Sequence, residues 1–249
     1  MNCELEIKNR VEFIKNLLES SHCRGIVFGN SGGKDSALVG ILCKMACDDT
    51  LGVIMPCSVA RNFTLDAADG AELAEQFKIK NITIDLSDVR AAEVAALEKA
   101  GVGLNDAALT NIAPRLRMTT LYAIAAAEGR LVAGTGNRDE MYVGYFTKWG
   151  DGAHDFNPIS DLTVAEIYEL LEYLNAPKSI ITKAPSAALA EGQTDEGEMG
   201  VSYAQLDRYI TTGEIDDAKS KARIDQLHNS SAHKRSGITR YRYLDEQTK

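Results

Sequence analysis

Short runs of β-branched and other apolar residues alternate with amphipathic stretches through the first half of the chain. Apolar side chains recur at close to helical spacing over residues 4–20, and residues 36–46 and 66–77 also predict helices. Between the helices lie runs typical of buried strands, at residues 25–29 (GIVFG), 51–56 (LGVIMP), 81–86 (NITIDL) and 131–134 (LVAG). This alternation predicts an α/β fold in which a parallel sheet is flanked by helices on both faces.

Binding sites in sheets of this kind lie beyond the carboxyl ends of the strands. The informative positions are therefore the turns that follow Gly29, Pro56, Asp85 and Gly134. If a site in this sheet carries the function, we expect its residues in those turns.

The second half of the chain has a different pattern. Residues 144–160 are rich in glycine, aspartate and aromatic residues and show no period. Thr163 and Glu166 have the spacing of a capping box, which predicts the start of a helix. Residues 190–200 are acidic and punctuated by glycine, which predicts a mobile loop, whereas residues 202–230 are again helical in pattern.

Composition narrows the classes of function. The chain has 249 residues, of which 45% are apolar and 25% charged, and we expect one domain over residues 1–249 with a helical C-terminal extension. The net charge of −9 disfavours a surface for nucleic acid. No apolar run suits a membrane span, and the first residues do not resemble a signal peptide. The five cysteines form no CxxC pair, so we expect a reducing, cytoplasmic location.

The strongest candidate site is the turn between the first strand and the next helix, with the residues Gly29, Asn30, Ser31, Gly32, Gly33, Lys34, Asp35 and Ser36. Paired glycines leave backbone N–H groups accessible, and a helix N-terminus adds its dipole, so the turn suits phosphate oxygens. Asp35 would repel phosphate unless a hard cation such as Mg²⁺ lies between them. The alternative is a plain tight turn in which Asp35 and Ser36 cap the helix. The spacing is not that of a Walker A loop.

A second turn, after the fourth predicted strand, contains Thr135 and Glu140. Glu140 and Asp35 are suited to share one Mg²⁺ that bridges a triphosphate and draws charge from the leaving pyrophosphate. Thr135 is small and hydroxylic, so a nucleotide can approach it closely. The alternative for Glu140 is a solvated carboxylate that is favoured by the helix dipole.

The first turn resembles the SGGxDS loop of the N-type ATP pyrophosphatases, which split ATP between its α and β phosphates and leave a substrate adenylated. Further segments resemble NAD synthetases, in order along the chain: Asn111–Met118 (NIAPRLRM), Gly134–Glu140 (GTGNRDE), Gly144–Gly152 (GYFTKWGDG), Asp155 with Asn157–Ile159, Ala184–Ala187 (APSA) and His233–Arg235. The resemblance covers roughly residues 5–240, and an ordered series of motifs is far more specific than one motif.

The resemblance to the NAD synthetase family implies an adenine nucleotide alpha hydrolase-like, Rossmann-like fold and a ligase. Such an enzyme converts deamido-NAD, which is nicotinic acid adenine dinucleotide, to NAD with ATP and ammonia, through an adenylated intermediate that releases AMP and pyrophosphate. Glutamine-using relatives carry a separate amidohydrolase domain for which this chain has no room, so ammonia is the expected nitrogen source. A homodimer with the dinucleotide site near its interface is also implied.

The resemblance also implies roles for individual residues. ATP is expected at residues 29–36, Thr135 and Ser186, and Mg²⁺ at Asp35 and Glu140. Deamido-NAD is expected at Arg115, Lys148, Asp155, His233 and Lys234. Asp151 and Lys148 are the expected catalytic residues, and Asp151 is placed to hold ammonium and accept its proton. Without the family context, the cations are typical of solvated surface and the aspartates of Asx turns.

The chain departs from the family at Val164, where many NAD synthetases have a lysine that contacts ATP phosphates. Lys183, Lys34 and Lys178 are candidates to supply that charge, and the sequence leaves the choice open. One alternative function is a tRNA thiolase, which would need a basic RNA-binding surface and a cysteine in the second half. The other is a sensor module that binds ATP without catalysis and would need the first turn alone.

Overall fold

The elements of the sheet domain follow the order that the hydrophobic pattern predicts. A computed structural model describes residues 1–57, 64–183 and 194–241. Within those residues, no helix is both long enough and apolar enough to cross a membrane. The strands are β1 (Gly25–Gly29), β2 (Thr50–Ile54), β3 (Lys80–Thr83) and β4 (Arg130–Ala133). The helices up to β4 are α1 (Cys3–Ser21), α2 (Lys34–Ala46), α3 (Leu65–Phe77), α4 (Ser87–Lys99) and α5 (Asp106–Glu128).

The four strands are parallel and lie in the order β3–β2–β1–β4. In the register of the sheet, Val27 lies between Leu51 on one side and Val132 on the other. The chain therefore builds the sheet from β1 towards β3 and then returns to the opposite side of β1 with β4. Ligands of open α/β sheets bind where the strand order reverses, so the carboxyl ends of β1 and β4 are the expected place for a site.

Helices cover both faces of this sheet, which confirms the predicted fold class. Ile26 and Phe28 of β1 pack with buried residues of α1, α2 and α7 (Val164–Tyr173), whereas Val27 faces the other side. There it joins a cluster that includes Val132 and Ala125 of α5. Successive side chains of a strand point to opposite faces of the sheet. Because both faces are buried under helices, both sets of side chains are apolar, and the strand has a continuous apolar run such as GIVFG.

The remaining helices of the described residues follow β4 in the chain. They are α6 (Arg138–Val143), α7, α8 (Lys178–Ile181), α9 (Asp195–Met199), α10 (Tyr203–Thr212), α11 (Ala218–Ser230) and α12 (Ala232–Arg235). The predicted capping box begins α7, because the Thr163 side chain accepts the Glu166 N–H and the Glu166 carboxylate accepts that of Thr163. Buried side chains of α6, α7, α9, α10 and α11 form one apolar cluster.

The prediction of a loop over residues 190–200 is wrong for its second part. Residues 195–199 form α9, which Thr194 caps at its start and Gly200 closes in a left-handed conformation. Met199 is buried in the cluster of C-terminal helices, and this apolar contact stabilises a helix that the acidic composition conceals. The earlier part of the predicted loop, residues 190–193, lies outside the described residues.

Candidate active site

A cleft of about 430 Å³ opens at the carboxyl ends of β1, β2 and β4. The turns after β1 and β4 line it, together with α5, residues 144–153 and α9. The predicted site residues that line this cleft are Gly29, Asn30, Ser31, Gly33, Lys34, Asp35, Ser36, Thr135, Glu140, Asp151 and Lys234. The structure thus brings together the two turns that the sequence singles out.

The turn after β1 is held open by its own hydrogen bonds. The hydroxyls of Ser31 and Ser36 lie 3.0 Å apart, and that of Ser36 donates to the Gly33 carbonyl at 3.0 Å. Gly32 has φ +69°, and a Cβ there would lie 2.3 Å from the Asp66 carbonyl oxygen, so this position requires glycine. Gly33 and the first residues of α2 line the cleft, so a helix N-terminus, which suits phosphate oxygens, borders it.

Two of the eight predicted ATP-binding residues within this turn have structural roles. Asn30 is buried, and its Nδ2 donates to the Gly70 carbonyl at 2.9 Å, which ties the turn to α3. Gly32 does not line the cleft, and its contribution is the bend described above. The Asn30 side chain and the left-handed backbone of Gly32 thus determine the shape of the turn.

The carboxylates of Asp35 and Glu140 converge on Asn137, a fully buried residue. Asn137 Nδ2 donates to Asp35 Oδ1 at 3.0 Å, and Asn137 Oδ1 accepts the backbone N–H of Glu140 at 3.0 Å. The backbone N–H of Asn137 donates to Glu140 Oε2 at 3.0 Å, which completes a capping box at the start of α6. Burial, and then the negative charge of Asp35, raise the pKa of Glu140 well above its usual value.

This carboxylate pair fits a hard divalent cation. The repulsion that raises the pKa of Glu140 is relieved when a cation lies between the two groups. Within the described ranges, no group of three or more His, Cys, Asp or Glu residues is suited to hold a metal. Protein sites for Mg²⁺ often supply one or two carboxylates and take the other ligands from substrate phosphates and water. Asp35 and Glu140 match that pattern.

The three lysines proposed to replace the cation expected at position 164 differ in their surroundings. Val164 itself is buried in the apolar cluster of C-terminal helices. Lys183 lines the cleft, but its Nζ is bonded to two aspartates of α3 at 2.7 and 2.6 Å. Lys178 begins α8 and does not line the cleft, whereas Lys34 is buried at the cleft beside Asp35.

Asp151 and Lys234 lie where the glycine-rich segment meets the cleft. Asp151 is open to the cleft and accepts the Thr147 N–H at 3.0 Å. The protein around it reduces its hydration, which raises its pKa and makes the carboxylate a better proton acceptor. Lys234 Nζ donates to the carbonyls of Gly144 and Phe146 at 2.7 and 2.6 Å, so α12 holds this segment in place.

The other predicted dinucleotide residues do not line the cleft, and three of them contact one another. Lys148 Nζ donates to the His233 carbonyl, and Arg115 Nη2 donates to the Lys148 carbonyl at 3.5 Å. Asp155 accepts the Val132 N–H at 2.8 Å and the Tyr122 hydroxyl at 3.1 Å. Ser186, the remaining predicted ATP-binding residue, lies outside the described residues.

Arg117 is a residue of the cleft for which the sequence pattern predicted no separate role. It lines the cleft, and its Nε donates to the Met55 carbonyl at 3.1 Å. Burial lowers its pKa below the usual value for arginine. The sequence did contain a signal for Arg117, because this residue belongs to the same RxRM motif as Arg115. Residues two apart on a helix face different directions, so the choice between them required the orientation of α5.

A parallel sheet with a glycine–serine turn and a carboxylate pair at its carboxyl edge defines a nucleotide-binding α/β protein. The family model of NAD synthase matches residues 6–241 of the chain. The chain therefore belongs to the NAD synthase family, as its motifs predict.

Individual relatives are similar over nearly their whole length. The NH(3)-dependent NAD(+) synthetase of Carboxydothermus hydrogenoformans is 44% identical over 237 residues, which cover 94% of this chain and 96% of the relative. The structure of NMN synthetase from Francisella tularensis superposes with a TM-score of 0.91 at 36% identity, covering 98% and 100% of the two chains. NH3-dependent NAD synthetase from Campylobacter jejuni superposes with a TM-score of 0.81 at 28% identity, covering 97% and 100%.

Proposed function

We propose that this chain is a ligase that amidates deamido-NAD to NAD with ATP and ammonia and releases AMP and pyrophosphate. The observation that carries the proposal is a phosphate cradle and a metal-suited carboxylate pair in one cleft, in a member of the NAD synthase family. Close relatives bear the name NH(3)-dependent NAD(+) synthetase, which supports ammonia as the nitrogen donor. ATP is the co-substrate, and Mg²⁺ is its proposed companion at Asp35 and Glu140.

The first step forms a bond between the nicotinate carboxylate and the α-phosphorus of ATP, while the bond to pyrophosphate breaks. We assign the backbone N–H groups and hydroxyls of the turn after β1 to the phosphates of ATP, with Thr135 close to the nucleotide. A bound Mg²⁺ supplies positive charge to the departing pyrophosphate. Asn137 keeps both proposed metal ligands in position.

In the second step ammonia attacks the acyl carbon and AMP leaves as the amide forms. Ammonium is the main form at neutral pH and has no free electron pair, so it must lose a proton first. Asp151 is our candidate to hold ammonium and accept that proton, because it lines the cleft and the surrounding protein raises its pKa by reducing its hydration. Lys234 orders the segment that carries Asp151.

The remaining assigned residues, apart from Lys234, do not line the cleft. We assign Arg115, Lys148, Asp155 and His233, together with Lys234, to deamido-NAD. Their position beside the cleft is consistent with a dinucleotide that extends out of it.

The proposal is tested by assaying purified protein with Mg²⁺, ATP and deamido-NAD, with either ammonium or glutamine. We expect NAD and AMP in equal amounts with ammonium and no NAD with glutamine. Asp151→Asn should lower kcat with ammonium by about a hundred-fold, which is the usual size of a lost general base. Asp161→Asn is the matched control, because Asp161 pairs with Arg10 on the surface away from the cleft. Absence of NAD with both nitrogen sources would refute the proposal.

A second candidate is amidation of the mononucleotide, nicotinic acid mononucleotide, to NMN. The superposition on NMN synthetase from Francisella tularensis, at a TM-score of 0.91, favours it. The two candidates share the chemistry and differ in whether the substrate carries an adenylyl half. The ratio of kcat/KM for the mononucleotide and the dinucleotide decides between them, and we expect it to favour the dinucleotide.

We also propose a homodimer in the cytoplasm. All of α4 is described and none of its residues is buried, although it contains Val89, Val94 and Leu97. Val89 is 49% exposed. A helix whose valine and leucine side chains are not fully buried in one copy suits contact with a second copy of the same chain. Sedimentation of the purified protein should give twice the mass of the chain, and a monomer at micromolar concentration would refute this assignment.

A further inference from the structure

Lys34 carries a positive charge that has no role in the two proposed reaction steps. Its side chain is only 5% exposed, and lysine is rarely buried to this extent unless its charge is paired. Its Nζ lies 2.8 Å from Asp35 Oδ2 and 5.2 Å from the centre of the Tyr203 ring. Lys34 is therefore an ammonium ion at the carboxylate pair.

This ammonium changes the charge that a metal ion meets. Asp35 is bonded on both oxygens, by Lys34 at Oδ2 and by Asn137 at Oδ1. Lys34 therefore offsets one negative charge of the carboxylate pair. A free divalent cation is then attracted less by the carboxylates and is repelled by the ammonium. A cation that arrives with a triphosphate has its charge balanced by the phosphates.

We propose that Lys34 is a built-in counter-cation that makes metal binding depend on the nucleotide, so that Asp35 and Glu140 take the metal with a triphosphate and not as a free ion. Lys34 is in this sense a positioning residue, since it acts through Asp35. The inference rests on the proposed assignment of Asp35 and Glu140 as metal ligands. It does not depend on which substrate is amidated.

The test measures Mn²⁺ binding to the whole protein by electron paramagnetic resonance, with and without an ATP analogue that has a methylene group between its α and β phosphorus atoms. Without the analogue, Lys34→Met should bind Mn²⁺ about ten-fold or more tightly than the wild type, because a unit charge close to the ion is removed. Lys34→Arg, which keeps the charge, should bind as weakly as the wild type. Lys44→Met is the matched control, because Lys44 lies on the same helix and pairs with exposed Asp48.

Equal Mn²⁺ affinity of Lys34→Met and Lys44→Met would overturn the proposal. So would tight Mn²⁺ binding to the wild type at micromolar concentration without nucleotide, a result that needs no variant to fold. The double variant Lys34→Met with Glu140→Gln should lose the gained affinity. If it keeps that affinity, Glu140 is not a ligand and the inference fails, while the amidation assay still tests the proposed function independently.

Discussion

Asn137 offers the sharpest test of how the two turns are joined. Asn137→Ala removes two separate interactions of a fully buried side chain. The first is the helix cap to the Glu140 N–H, and losing a cap costs about 1 kcal/mol of stability. The second is the hydrogen bond to the Asp35 carboxylate, and a bond to a charged group contributes roughly 1.5–3 kcal/mol. The expected loss in the free energy of unfolding is therefore about 2–4 kcal/mol.

Ser202→Ala separates the two effects. Ser202 forms the same kind of capping box at the start of α10, where its hydroxyl accepts the Gln205 N–H at 3.2 Å. Ser202 makes no hydrogen bond to Asp35 or Glu140, so the loss of its hydroxyl should lower the free energy of unfolding by about 1 kcal/mol. Urea unfolding of both variants measures the difference, and Asn137→Ala should also lower the affinity for Mg²⁺ with ATP. Equal destabilisation of the two variants would show that the bond to Asp35 adds nothing.

Two further predictions concern α6 and its end. Burial and the neighbouring Asp207 raise the pKa of Asp139 to about 8, so the folded chain keeps a proton that the unfolded chain loses near pH 4. Stability therefore falls as the pH rises from about 4 to about 8, and Asp139→Asn should gain stability relative to the wild type over that range, as urea unfolding at several pH values will show. A constant difference would contradict this. Gly144 has φ +70°, and a Cβ there would lie 2.1 Å from that of Ser231, so Gly144→Ala should cost about 2–5 kcal/mol in the same unfolding assay. Gly213→Ala, at φ +75° in open space, should cost only about 1 kcal/mol, and equal costs would refute the packing argument.

The turns of the sheet were predictable because local rules and tertiary context agree there. A glycine-rich turn between an apolar strand and a helix presents backbone N–H groups whatever packs around it. A turn suited to phosphate could therefore be predicted at residues 29–36 from the sequence alone. Parallel strands place their carboxyl ends at one edge, which brought Glu140 into reach of Asp35. The four-stranded sheet confirms the predicted fold, and the match to the NAD synthase family model confirms the predicted family.

Side chains whose direction depends on packing were not predictable in the same way. Arg115 and Arg117 belong to one motif, yet only Arg117 lines the cleft, because the orientation of α5 decides which face is turned inward. Lys34 was one of three equal candidates for a missing charge. Its burial depends on Tyr203 of α10, which is far away in the sequence. The helix α9 was hidden by acidic composition and depends on a tertiary contact of Met199.

In the proposed reaction, the carboxylate of the substrate becomes bonded to the α-phosphorus of ATP. The most direct measurement uses deamido-NAD with ¹⁸O in the nicotinate carboxylate, with Mg²⁺, ATP and ammonium, and mass spectrometry of the products. The proposed mechanism predicts one ¹⁸O atom in the phosphate of AMP for each NAD formed, and none in pyrophosphate. Label in inorganic phosphate together with ADP, or NAD formed without label in AMP, would contradict it.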